Sequence, residues 1–168
     1  MDNNTAAYWI SKLDLQQHVE GGAFRETYRA PLTLPQQVLP DTFHGERNAA
    51  TGIYFLLQKG DFSAFHRIAA DEMWHFYAGD MLHIYEITRD GALKTHLLGS
   101  DVENGASFQA VIAAGSWFGS RVEAPGTYAL VGCTVSPGFD FADFELADRG
   151  ALTAEYPAHA ALIAAMTR

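Results

Sequence analysis

Residues 60–80 read GDFSAFHRIAADEMWHFYAGD. Two short segments within this stretch, FSAFHRI and EMWHFYA, are rich in aromatic and apolar residues and are separated by Ala69, Ala70 and Asp71, the pattern of two strands joined by a turn. Side chains alternate between the faces of a strand, so His66 and Ile68 share one face, and Glu72, Trp74 and Phe76 share the equivalent face of the next strand. If those faces turn inward, an imidazole and a carboxyl enter one cavity.

The same texture continues on both sides. AFRETYRA, TGIYFLLQ, MLHIYEI, LKTHLLG, SFQAVIA, SWFGSRVE and TYALVGCTV are further strand-like segments, with Gly, Asp and Pro between them. Asp90-Gly91 separates two of these segments and suits a tight hairpin turn, because both residues tolerate positive φ. Closely spaced strands with no helical pattern between them point to an all-β barrel or sandwich, with a core over about 23–135, rather than to a parallel α/β sheet. Short helices are expected at each end. At about 4–13, Asn3, Asn4 and Thr5 can cap the helical spacing of Ala6, Trp9, Ile10 and Leu13; at about 157–167, Pro157 can start a helix in an alanine-rich tail. Residues 31–47 hold three prolines and read as an irregular loop.

A length of 168 residues and a 48% hydrophobic composition predict one domain with a packed core. The net charge of -9 gives no basic footprint for nucleic acid. The N-terminus lacks a basic flank followed by an apolar run, and no apolar stretch approaches membrane-spanning length, so neither a secretory signal nor a membrane anchor is expected. Cys133 is the chain's single cysteine, which excludes an intramolecular disulfide and fits a cytoplasmic protein.

A buried imidazole beside a carboxyl suits metal ligation or proton transfer, since each needs a lone pair and a tunable proton. A hydrogen-bonded core pair is the plainer alternative for His66 and Glu72. His75 has the opposite parity to Glu72 and reads, with His83, as a surface or packing residue. Arg25 offers a planar fork for a carboxylate or phosphate, or belongs to a surface ion pair. Strict alternation puts Arg25 and Tyr28 on opposite faces, so a bulge or strand end is needed to bring both to one pocket. Trp74 and Phe118 are candidates for an aromatic wall or for the core. Cys133, in an apolar strand, reads as a buried structural thiol. FDFADFEL alternates acidic and aromatic residues and reads as a packing strand with a solvated acidic side.

The spacing Gly60, His66, Glu72, Gly79 resembles the first cupin motif, with Ile68 where a second histidine stands in that motif. AAGSWFGSRV is the counterpart of the second motif, with Phe118 at its histidine position. HVEGGAFRETYR, TGIYFLL, FHRIAADEMWHFYAGD, AAGSWFG and LVGCTVSPGFDFADFEL together resemble the cupin subfamily catalogued as domain of unknown function 985, or cupin type 5. The resemblance implies a jelly-roll β-barrel, a homodimer, and a pocket inside the barrel for a small polar metabolite such as a sugar or nucleotide derivative.

A cupin metal takes three histidines and a glutamate. The matched positions supply only His66 and Glu72, so no cofactor is expected beyond weak divalent binding shared with water or ligand atoms, which His83 or Tyr85 could complete as a non-standard site. Similarity to metal-free cupins that epimerise keto-sugars implies His66 as base, Glu72 as its orienting partner and Tyr85 or Tyr28 as acid. Arg25, Tyr28, His66, Glu72, Trp74, His83 and Phe118 are the candidate ligand contacts. A structural homodimer with a vestigial pocket is the remaining reading.

Overall fold

The structure is a computed structural model that describes residues 5–168. In chain order the elements are α1 (Ala6–Leu13), β1 (Gln16–Gln17), β2 (Ala23–Arg29), β3 (Thr33–Leu34), β4 (Arg47–Asn48), β5 (Thr51–Gln58), β6 (Phe62–Arg67), β7 (Asp71–Gly79), β8 (Leu82–Ile87), β9 (Leu93–Leu98), β10 (Gln109–Ile112), β11 (Trp117–Val122), β12 (Tyr128–Ser136), β13 (Glu145–Leu146), α2 (Arg149–Glu155) and α3 (Ala160–Ala165). They form two main sheets, ordered β1-β2-β5-β12-β7-β10 and β13-β6-β11-β8-β9, with β3 and β4 as a small separate pair. Neighbouring strands in both main sheets run antiparallel. The sheets do not close into a continuous cylinder, but this is the jelly-roll arrangement expected.

Both sheets feed one core. Phe55, Leu57, Trp74, Ile112 and Val131 from the first meet Leu82, Ile84, Leu98, Phe118 and Val122 from the second, all buried. Burying side chains of this size stabilises the fold by roughly 2 kcal/mol each before chain entropy is counted. Each outer face carries a helical cover. Trp9, Ile10 and Leu13 of α1 pack on Leu56, Tyr128 and Leu130, while Leu152, Ile163 and Met166 at the C-terminal end pack on Phe65, Ile87 and Trp117.

Local chemistry sets the helix ends. The Thr5 hydroxyl accepts from the Tyr8 amide at 3.2 Å and caps α1. Asn3 and Asn4, the other expected caps, lie outside the described residues. At the far end the helical segment begins earlier than Pro157: Asp148 accepts from the Ala151 amide at 2.8 Å and starts α2. A residue before proline is pushed out of the α region, so the helix breaks at Tyr156 (φ -127°, ψ 65°) and resumes through a 3-10 turn at Pro157–His159 into α3.

Two irregularities position the cavity. Gly21 (φ +110°) and Gly22 (φ +77°) form the sharp turn into β2, and a Cβ on Gly21 would stand 2.1 Å from the Phe62 carbonyl oxygen. In β2, Glu26 pairs with Ile53 but Tyr28 pairs with Gly52, so Thr27 is an extra, bulged residue. Past the bulge the facing of every side chain is reversed.

Candidate functional site

A cavity of about 290 Å³ opens between the sheets at the β2 end of the fold. Phe24, Ile53, Ile68, Val135, Phe139 and Phe141 line it with apolar surface; Glu26, Arg29 and Asp140 are its charged residues nearer solvent; His18, Glu20, His66, Glu72 and Cys133 complete the lining. The buried polar members come from separate elements: Glu20 from the turn before β2, His66 from β6, and Glu72 from the start of β7.

His66 is 3% exposed. Its Nδ1 lies 2.8 Å from the Ala64 carbonyl oxygen, and because a carbonyl only accepts, Nδ1 carries a proton. Its Nε2 faces Glu20 Oε2 at 3.1 Å, so one proton is held between imidazole and carboxyl. Glu20 Oε1 accepts from the Ser63 hydroxyl at 3.0 Å. His18 Nδ1 accepts from the Glu20 amide at 3.4 Å and lies 3.7 Å from Glu20 Oε2. The His18 ring is wedged edge-on against Phe24, with centroids 4.6 Å apart.

Burial pushes Glu20 up to about 7, against the opposing pull of His18 and the Ser63 hydrogen bond. Burial also raises Glu72 to about 7; His66 opposes the shift, Glu20 adds to it, and a hydrogen bond with the Cys133 thiol opposes it. The same burial lowers His66 and His18 and lifts the Cys133 thiol well above its ordinary range. Among the described residues, neither Glu20 nor Glu72 has an ion pair with arginine or lysine. Carboxyls that change protonation near neutrality, beside an imidazole with a committed tautomer, can exchange protons with a bound molecule.

The candidates drawn from sequence separate into three groups. His66 and Glu72 come together in the cavity. Trp74 and Phe118, each 1% exposed, lie beneath it rather than in its wall: Phe118 packs 4.1 Å from the His66 ring, and Trp74 meets Phe118 and Phe55 edge-on. The remaining four, Arg25, Tyr28, His83 and Tyr85, are not brought to this cavity.

The β2 bulge corrects the reading of Arg25 and Tyr28. It puts both on one face, as a shared role requires, but that face points outward; Arg25 donates to the Leu13 carbonyl and Tyr28 is 54% exposed. Phe24, Glu26 and Arg29 turn inward in their place. On β8, Leu82 and Ile84 take the inward positions, so His83 and Tyr85 take the outward ones. The Tyr85 hydroxyl donates to Glu123 at 2.6 Å, and the Arg121 guanidinium lies over its ring. It therefore cannot serve His66.

Glu20, His18, Glu26, Arg29 and Asp140 are cavity residues that strand periodicity does not single out. Glu20 and His18 lie in the connection ahead of β2, where alternation gives no facing, and Arg29 lies past the bulge. The signal that was available is a carboxyl immediately before Gly21-Gly22, at a turn made to bring backbone close to a neighbour.

The donor set does not fit a cupin metal. Ile68 and Phe118 stand at two of the ligand positions, the Phe118 ring closes on His66, and both His66 nitrogens are engaged by Ala64 and Glu20. Among the described residues, no group of three or more His, Cys, Asp or Glu side chains is arranged to hold a metal ion.

The chain belongs to the cupin superfamily: the family model Cupin_5, described as Cupin superfamily (DUF985), matches residues 7–147. It is similar to the solved structure of protein SO0799 from Shewanella oneidensis, with 43% identity, a TM-score of 0.86 and 98% of each chain covered. It is also similar to the structure of a hypothetical protein from Leishmania major, with 36% identity and a TM-score of 0.91 over 98% of this chain and 99% of the other. The Saccharomyces cerevisiae protein YML079W is 30% identical over 143 residues, covering 80% of this chain and 71% of that one.

Proposed function

We propose that this cupin binds a small polar metabolite in the cavity between its sheets, with the ligand's polar groups on Glu20, His66 and Glu72 and its carbon skeleton against Phe24, Phe139 and Phe141. The observation that carries this reading is the titratable cluster buried at the base of an open cavity. Leaving two carboxyls without a neutralising cation costs stability, and such strain is characteristic of sites that meet a ligand. Mass spectrometry of small molecules released from the purified protein by denaturation tests it. A recovered compound that restores thermal stability to the stripped protein, and fails to do so in Glu72→Gln, supports the reading. Its binding with equal effect to both proteins overturns the placement.

The Glu20–His66 contact at 3.1 Å favours a second reading, metal-independent proton transfer. A proton leaves a carbon next to a carbonyl for a base of the cluster, the electron pair moves to the carbonyl oxygen as an enolate, and a proton returns to the same or the adjacent carbon. The result is epimerisation or isomerisation without change of oxidation state. Incubation of the recovered compound in D2O reads this directly: wild type introduces deuterium at carbon and His66→Ala does not. Recovery of the bound compound without deuterium leaves binding alone.

The protein acts as a homodimer in the cytoplasm in this reading. Tyr28, Tyr77 and Val111, each more than half exposed, give the outer face of the first sheet an apolar area beyond α1 that a second copy can cover, and the single cysteine suits a reducing compartment. No nucleic-acid or membrane partner is proposed; among the described residues no helix is long and apolar enough to cross a membrane.

A further inference from the structure

We infer that the cavity selects a ligand carrying an organic ammonium group, and that this cation sits between Glu20 and Glu72. The inference deepens the proposed function and rests on its reading that a small polar molecule occupies this cavity. Four acidic side chains, Glu20, Glu26, Glu72 and Asp140, line the cavity, against a single arginine and no lysine.

That arginine is already committed. Arg29 donates to both carboxylate oxygens of Glu26 at 3.0 and 2.7 Å, to Asn48 Oδ1 at 2.9 Å, and twice to the Phe139 carbonyl at 3.3 Å. A guanidinium has five N–H donors, so these contacts occupy all of them. A ligand carboxylate or phosphate would have to break this arrangement while entering a cavity lined by carboxyls.

Glu72 is the independent observation that points to a cation. Glu72 is 8% exposed and reaches the cavity, and among the described residues its carboxyl accepts no hydrogen bond from an N–H or hydroxyl donor, with only the Cys133 thiol, a weak donor, as a polar neighbour that favours its charge apart from His66. Glu20 spends its oxygens on Ser63 and His66 and leaves its charge uncancelled by arginine or lysine. A buried carboxyl with a weak partner gains most from an N–H donor that also carries charge. The apolar walls then accept the rest of the molecule, and the aromatic faces of Phe139 and Phe141 suit a neighbouring positive charge.

The test uses the full chain in the presence of chelator, with two trios of matched size and different charge. Glucosamine, glucose and glucuronate form one, and phenethylamine, phenethyl alcohol and phenylacetate the other. Affinity is read by calorimetry and by the shift in melting temperature. The amine of at least one trio should bind about tenfold or more tighter than its neutral match, with no measurable binding of the anion, because close charge pairs in desolvated sites reach this size. Glu72→Gln, which preserves shape, should abolish most of the preference, and Glu20→Gln provides a second variant should the first fold poorly.

Tightest binding by the alcohol or the anion overturns the ammonium inference and leaves the small-molecule reading intact. An amine preference that persists undiminished in both variants also overturns it, since the cation would then sit elsewhere. If no compound of either trio binds, and the protein also releases no small molecule on denaturation, both readings fall.

Discussion

Among the described residues, two of the buried charge clusters are built in opposite ways. Arg47 and Asp143, each with a side chain 5% exposed, meet in a two-pronged ion pair with both contacts at 2.6 Å, while Arg47 also donates to the Glu46 carbonyl and Asp143 accepts from the His44 amide. Every strong group there has a partner. Glu20, His66 and Glu72 are equally enclosed, but no permanent cation stands among them, and the two carboxyls are driven to about 7. The first cluster ties β4 and the residues just before it to the 3-10 turn at Phe141–Asp143. The second leaves a chemical demand that packing does not meet. Compensation is what a structural charge needs; its absence within an open cavity is what the proposed ligand site rests on.

The sharpest attempt to break this contrast is Asp143→Ala. It strands a buried guanidinium, so unfolding free energy should fall by about 3 kcal/mol in chemical denaturation. A loss below about 1 kcal/mol would mean that Arg47 finds water or another acceptor and that the two clusters are not so different.

Glu72→Gln should act in the other direction, with a pH dependence that identifies its cause. A carboxyl at about 7 in the folded protein and at 4.5 in the unfolded chain holds its proton longer when folded, so wild-type stability falls as pH rises from about 4.5 to about 7. The carboxamide in the variant does not titrate. The variant should therefore match wild type below about pH 4.5, gain on it through that window, and stay ahead by about 3 kcal/mol above about pH 7. His18 and His66, lowered from 6.5, act with opposite sign by weakening both proteins as pH falls below 6.5, and they leave the direction of the difference unchanged. Parallel stability curves for the two proteins through this window would remove the evidence for an uncompensated carboxyl.

Tyr85→Phe removes the hydroxyl bonded to Glu123 on the outward face of β8. Stability should drop by about 1 kcal/mol or less, and ligand affinity should not change. A selective loss of affinity would join this outer pair to the cavity. The smallest effect concerns metal. Protein prepared without added metal should contain well below one equivalent by elemental analysis, and chelator should leave its melting temperature unchanged, because Ile68 and Phe118 supply no lone pair. Near-stoichiometric metal that disappears in His66→Ala would overturn the distinction between an empty demand and a metal centre.

The sequence by itself determined the strands, the turns and one pair of the site. Alternation is local, so FSAFHRI and EMWHFYA specify their own faces, and the spacing of His66 and Glu72 around the Ala69–Asp71 turn brings both to the inside. Asp90-Gly91 specified its hairpin for the same reason, with Gly91 at φ +84°. Only the tertiary structure decided the rest of the cavity. With Phe24 and Glu26 facing inward, Arg25 faces outward by simple alternation, and one bulged residue at Thr27 then exchanged Tyr28 for Arg29 in the cavity, since the facing of a side chain depends on the count of residues paired with β5, a quantity absent from β2 itself. Glu20 belongs to no strand. Its place beside His66 follows from the path of the Gly21-Gly22 turn against Phe62, a contact between residues far apart in the chain that no local period encodes.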